Sequence, residues 1–104
     1  MKIVILGAGA VGSTPANLLS QENDLTIVDN DGARLTKLEE EADIKTILGN
    51  ASYPNILVNA GINDADMVVA VTASDEINLV SCMISKVLNA VSYTHLTLPT
   101  IYSV

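Results

Sequence analysis

The sequence predicts an α/β fold, a doubly wound parallel sheet with strand order 3-2-1-4. Three observations predict it. Short apolar runs at 2–6, 25–28, 44–48 and 67–71 alternate with helical periodicity at 11–21, 32–42, 54–60 and 75–89. Hydrophobic residues make up 49% of the chain and aromatics only 3%, an aliphatic bias that suits strands buried on both faces. The first apolar run leads directly into Gly7-Ala8-Gly9-Ala10-Val11-Gly12, and the second ends at Asp29, 17 positions after Gly12. Right-handed crossovers then turn a β-α-β-α-β-α-β-α chain into the 3-2-1-4 order.

Each element has its own signal. Residues 2–6 (Lys-Ile-Val-Ile-Leu) read as a buried strand. The helix over 11–21 places Val11, Leu18 and Leu19 inward. The strand 25–28 follows. Asp31 caps a helix over 32–42, with Leu35, Leu38 and Ala42 on one face and Glu39, Glu40 and Glu41 mostly in water. Residues 44–48 alternate as a strand, and Gly49 ends it. Ser52 and Pro54 open a short helix, 54–60, with proline in its first turn and Gly61 stopping it. Asp64 and Asp66 form a solvated turn before the strand 67–71. Ser74 or Asp75 caps the last helix, 75–89, with Ile77, Val80, Ile84 and Val87 in register.

The glycine motif in this setting points to a nucleotide. Gly7 lets the chain leave the first strand in a tight turn. Gly9 has no Cβ, so a pyrophosphate can approach the backbone. Gly12 lets the helix lie close to the sheet. That helix turns free N–H groups and its positive dipole end toward phosphates. Asp29 can accept hydrogen bonds from ribose hydroxyls, and its charge repels a 2′-phosphate, favouring NAD(H) or an adenine nucleotide over NADP(H). Arg34 is the counter-argument, because an arginine near this point can accept a 2′-phosphate; it lies one turn into the next helix. The plainer alternative is a tight strand-to-helix turn with no ligand. The ligand crevice should lie at the carboxyl ends of the strands, among loops 7–12, 29–31, 49–52 and 72–75.

Bulk properties narrow the function. A chain of 104 residues is one domain at most. Twelve acids against five bases give a net charge of −7, with no basic stripe, which argues against nucleic acid and anionic lipid as partners. One cysteine allows no internal disulfide and fits a reducing cytoplasm. No leader peptide or membrane span is expected. His95, the one histidine, has no cysteine or acid cluster beside it, so no metal site is expected. Cys82 sits at core spacing. Tyr53 either covers a ligand edge or anchors a turn. No residue stands out as catalytic.

Gly7-Ala8-Gly9-Ala10-Val11-Gly12, Val28-Asp29-Asn30-Asp31, Leu48-Gly49-Asn50-Ala51-Ser52 and Val71-Thr72-Ala73-Ser74-Asp75-Glu76-Ile77-Asn78 together resemble the TrkA N-terminal domain family, also called RCK or KTN domains. The resemblance covers residues 1 to about 90 and implies a truncated, Rossmann-like domain. It implies a regulatory subunit of a potassium uptake system that binds NAD(H), with ATP or ADP as the other choice. The ligand would gate an integral-membrane potassium transporter by conformational change. The subunit would be cytoplasmic, held at the inner face of the plasma membrane by that partner. A dimer or higher homo-oligomer is expected through the last helix, whose Leu79 and Met83, on the flank of the core stripe, would be surplus apolar surface on a monomer. By this resemblance Gly7, Ala8, Gly9, Ala10, Val11 and Gly12 hold phosphates. Asp29, with Asn30, Asp31 and Arg34 beside it, holds the adenosine ribose. Gly49, Asn50, Ala51 and Ser52 lie near adenine. Thr72, Ala73 and Ser74 close over the phosphates and second ribose.

Three features depart from the family pattern. Pro15 falls where a helix former is usual; it is tolerated if the helix starts near Ser13 and kinks it if the helix starts at Ala10. The chain stops before the two further strands that the family carries. Residues 91–104 hold none of the 17 charged residues but two of the three tyrosines and the histidine. This tail reads as foreign sequence joined to the domain 1–90, with a divergent edge strand as the alternative. Two other function classes remain: the coenzyme half of an NAD-dependent dehydrogenase without its catalytic domain, and an interaction module with an empty crevice.

Overall fold

The structure, a computed structural model, describes residues 1–9, 11–92 and 100–102. The apolar runs form a parallel sheet from β1 (Lys2–Leu6), β2 (Asp24–Asp29), β3 (Lys45–Leu48) and β4 (Met67–Ala70). Their order is β3-β2-β1-β4, as the sequence predicts, and β5 (Thr100–Tyr102) adds a fifth strand beside β4. The tail 91–104 lies mostly outside the described residues, as do Ala10 and His95; within it, residues 91–92 extend the last helix and 100–102 form β5.

The sheet is covered on both faces because successive side chains of a strand point to opposite sides. On β1, Val4 and Leu6 enter one apolar cluster with Val28, Leu57, Ile62 and Val68. Ile3 and Ile5 enter the other with Ala16, Leu25, Ile27, Leu35 and Leu38. Full burial of each of the Val, Leu and Ile side chains contributes about 1.5–3 kcal/mol. Helices α1 (Ser13–Ser20) and α2 (Gly32–Glu41) therefore cover one face. Helices α3 (Pro54–Asn59) and α4 (Asp75–Ser92), with a 3-10 turn at Ile62–Asp64, cover the other.

Several stop and start signals are realised. Asp31 caps α2, accepting from Ala33 N at 3.0 Å and Arg34 N at 3.4 Å. Pro54 opens α3, and Gly61 ends that segment with φ +86°. Asp66 does more than turn the chain: its carboxylate accepts from Lys2 N at 2.7 Å, pinning the entrance of β4 to β1.

Two helices present faces other than those expected. α1 starts at Ser13, so Pro15 falls in its first turn, and Val11 packs half-buried outside the helix. Ala16 is the residue that faces inward, and Leu18 and Leu19 are exposed. Leu18 lies two positions from Ala16, about 200° around the helix, so it faces solvent. In α4 the inward stripe is Asn78, Ser81, Cys82, Ser85 and Asn89, flanked by half-buried Ile77, Ile84 and Leu88. Val80 and Val87 are exposed, with Leu79 and Met83 beside them. Two carboxamides explain this rotation. Asn89 Nδ2 donates to the carbonyls of Ile62, Asn63 and Ala65, and Asn78 bonds the loop after β4. Both need to face the protein, and the small serines between them let the helix approach. Among the described residues, no helix is long and apolar enough to cross a membrane.

Candidate functional site

The site is built where β1, β2, β3 and β4 end. Gly7 leaves β1 with φ +114°, and its N–H donates to Val28 O at 2.7 Å. A Cβ there would stand 2.8 Å from Val71 O and 2.9 Å from Thr72 N, so only glycine fits. Gly12 differs from expectation. Among the described residues a Cβ at Gly12 would meet only Pro15 Cδ, at 3.6 Å, so close helix-to-sheet packing is not what this glycine supplies.

Asp29 ties two loops together. Its Oδ1 accepts from Ala8 N at 3.1 Å and its Oδ2 from Asp31 N at 3.0 Å. The residue is 9% exposed and still reaches the cleft. Each carboxylate oxygen has further acceptor capacity, which is what a ribose hydroxyl needs. Gly49 N donates to Asp29 O at 2.9 Å, continuing the β2–β3 pairing into the loop. Asn50 Oδ1 then accepts from Ser52 N at 2.8 Å and Ser52 Oγ at 2.7 Å, closing a tight turn. After β4, Ser74 is the cap of α4: its Oγ accepts from Ile77 N at 3.3 Å and its carbonyl from Asn78 N at 3.0 Å.

These loops bound two adjoining clefts. The first, about 170 Å³, is lined by Val28, Asp29, Asn30, Arg34, Gly49, Asn50, Ala51, Thr72, Ala73, Ser74 and Ile77. It brings together three of the four loops expected to face the ligand. The second, about 340 Å³, is lined by Ala8, Gly9, Val11, Gly12, Ser13, Arg34, Lys37, Leu38 and Glu41. It lies at the amino end of α1, which no side chain caps. Of the other expected residues, Gly7 is buried in its turn, Asp31 pairs with Arg34, and Ser52 bonds Asn50. Tyr53 lines neither cleft and is exposed, preceding Pro54 as the cap of α3.

Residues that sequence reasoning did not single out also belong here. Lys37 lies one turn beyond Arg34 and adds a second cation to the larger cleft. Asn78 holds the loop 72–74 from below, and its spacing four residues after the Ser74 cap was the available signal. Cys82 packs in the core, where burial raises its thiol pKa above the ordinary 9.0. Among the described residues, no cluster of three or more His, Cys, Asp or Glu side chains has metal-binding geometry.

The chain resembles known proteins in both sequence and fold. The model of the TrkA-N domain family matches residues 3–98. Over 89 residues the chain is 53% identical to the Trk system potassium uptake protein TrkA of Haemophilus influenzae, covering 85% of this chain and 19% of that protein. It is 51% identical, again over 89 residues, to the protein of the same name from Halomonas elongata, covering 85% of this chain and 20% of that one. The chain thus spans about a fifth of the length of these curated relatives. Among solved structures, the TrkA-N domain of the inner membrane protein ybaL from Escherichia coli superposes with a TM-score of 0.67 at 18% identity, covering 95% of this chain and 70% of that one.

Proposed function

Because this chain belongs to the TrkA-N domain family, we propose that it is the nucleotide-binding part of a regulatory subunit in a potassium uptake system. Its ligand is NAD(H), or else ATP or ADP. The observation that carries this reading is Asp29. Its carboxylate is anchored by the glycine loop on one side and Asp31 N on the other, at the wall of a cleft formed by three strand ends. In a doubly wound sheet, ligands bind outside the carboxyl ends of the strands at this switch point.

The residues then divide the ligand between them. The glycine loop, Gly7, Ala8, Gly9, Ala10, Val11 and Gly12, receives the phosphates with the amino end of α1. Asp29, Asn30 and Asp31 receive the adenosine ribose. Gly49, Asn50, Ala51 and Ser52 border adenine, and Thr72, Ala73 and Ser74 border the second ribose. The ligand is sensed and not transformed. It shifts the pose of the domain only by binding one pose more tightly than another. The partner that feels the shift is an integral-membrane potassium transporter, at whose cytoplasmic face the subunit sits. A second copy of the chain covers the apolar outer face of α4, where Leu79 is 54% and Met83 60% exposed.

Titration calorimetry of residues 1–104 with NADH, NAD, ATP, ADP and NADPH tests the reading, alongside Asp29→Ala. Binding of NAD(H) or an adenine nucleotide that the variant loses, with NADPH weak, is expected. A cooperatively folded chain that binds none of the five overturns it.

A further inference from the structure

Arg34 lies on the boundary between the two clefts and lines both. Its guanidinium lies on the side of Gly9 where a Cβ would project, 3.0 Å (Nη1) and 3.4 Å (Cζ) from that point, while Gly9 itself stays exposed. A cation therefore stands beside the backbone that a pyrophosphate would approach.

That cation is loosely held. Nε stands 3.5 Å from Asp31 Oδ2 and Nη1 3.9 Å from Asp29 Oδ2, longer than the roughly 2.7–2.9 Å of a charge-assisted hydrogen bond. The side chain is 56% exposed, so water screens both pairs. Neither carboxylate depends on it. Asp29 accepts from Ala8 N and Asp31 N, and Asp31 from Ala33 N and Arg34 N. Releasing the guanidinium therefore strands no buried charge. The smaller cleft, at about 170 Å³, is also below the ~300–1,000 Å³ of typical ligand pockets, so a nucleotide must extend past Arg34.

We propose that Arg34 is a movable latch for the 5′-diphosphate of an adenine nucleotide. On binding, the guanidinium leaves Asp29 and Asp31 and closes in a fork on the phosphate oxygens above Gly9. The inference rests on the nucleotide reading above and adds what Arg34 recognises. A phosphate on adenosine is the shared chemistry, and it has two sources, 5′ and 2′. The 5′ group is favoured because, on the reading above, the Asp29 carboxylate, held by Ala8 N and Asp31 N, meets the adenosine ribose and repels a 2′-phosphate.

The test is titration of wild type, Arg34→Gln and Arg34→Lys with adenosine, ADP and adenosine 2′-monophosphate, followed by amide NMR shifts at low and high salt. Arg34→Gln is expected to lose about tenfold or more in ADP affinity and to change adenosine affinity less than about twofold. Arg34→Lys recovers part of the ADP affinity, because it keeps the charge without the fork. The salt dependence of ADP binding becomes shallower in Arg34→Gln. Unchanged ADP affinity, an equal loss for adenosine and ADP, or an Arg34-dependent preference for the 2′-phosphate would each overturn the latch. A wild type that binds no adenine ligand fails earlier, at the nucleotide reading itself, and takes the latch with it.

Discussion

Asn78 holds Thr72 at three points. Its Oδ1 accepts from Thr72 N at 2.8 Å and from Thr72 Oγ1 at 2.6 Å, and its Nδ2 donates to Thr72 O at 3.1 Å. The helix on one face of the sheet thereby fixes the loop that borders the first cleft. Replacing Asn78 with alanine removes all three bonds and leaves Thr72 N–H without its acceptor. Urea unfolding should show a loss of about 2 kcal/mol or more. Nucleotide affinity, measured below the unfolding transition, should fall with it because the loop is no longer held.

The glycines of the motif should not be equivalent. Gly7→Ala forces a side chain into φ +114° and against Val71 O, so a loss of at least about 2 kcal/mol is expected. Gly12 has φ −76° and an open surrounding, so Gly12→Ala should change stability by less than about 0.5 kcal/mol. Paired thermal melts check the contrast. Equal destabilisation would refute the geometric account of both positions.

Pro15 should be nearly silent. It is the third residue of α1, where an N–H would have no partner within the helix, and residue 11 is outside the helix. Pro15→Ala should cost no more than about 1 kcal/mol, through the greater freedom of the unfolded chain. Urea midpoints of the two proteins measure this, and a gain in stability would reveal strain at the proline.

Cys82 links stability to alkaline pH. Burial raises its thiol pKa above the ordinary 9.0, opposed by the smaller pull of Lys86. The folded state then binds the proton more tightly than the unfolded state. This contribution is complete below the unfolded pKa and is lost as pH rises through the folded one. Unfolding free energy should therefore decline above about pH 9, and the decline should be shallower in Cys82→Ala. Thiol titration of the native chain at pH 8 should be slow until denaturant is added.

The outer face of α4 should govern self-association. Leu79→Ser with Met83→Ser removes exposed apolar surface and touches no residue of the inward stripe. Sedimentation velocity should show a shift toward monomer with thermal stability retained. A wild type that is monomeric at high concentration refutes this role.

Much of the fold was legible because its signals are local. β1, β2 and β4 are largely apolar, as two-sided burial demands, while β3 at the sheet edge alternates and stays partly exposed. Asp31 and Gly61 act within their own turn, so their capping roles read directly from the chain. The face of α4 was legible only in part: apolar periodicity placed Ile77 and Ile84, which pack against the core, but also Val80 and Val87, which are exposed, and it missed the buried Asn78, Ser81, Ser85 and Asn89. Periodicity weighs hydrophobicity alone. It cannot register that a carboxamide is drawn inward by backbone carbonyls 24–27 residues away.

The site divides in the same way. The glycine loop and the acid closing β2 are a local arrangement, and the sequence by itself determined both, with the four-strand order that places them side by side. Only the tertiary structure decided where the Arg34 guanidinium lies, because its neighbours Gly9 and Asp29 come from other elements. Only packing decided that Gly7 is indispensable and Gly12 is not, since the atoms crowding Gly7 belong to Val71 and Thr72. Chain-local rules fix dihedrals and periodicity; a contact across the sheet exists only after the strands have paired.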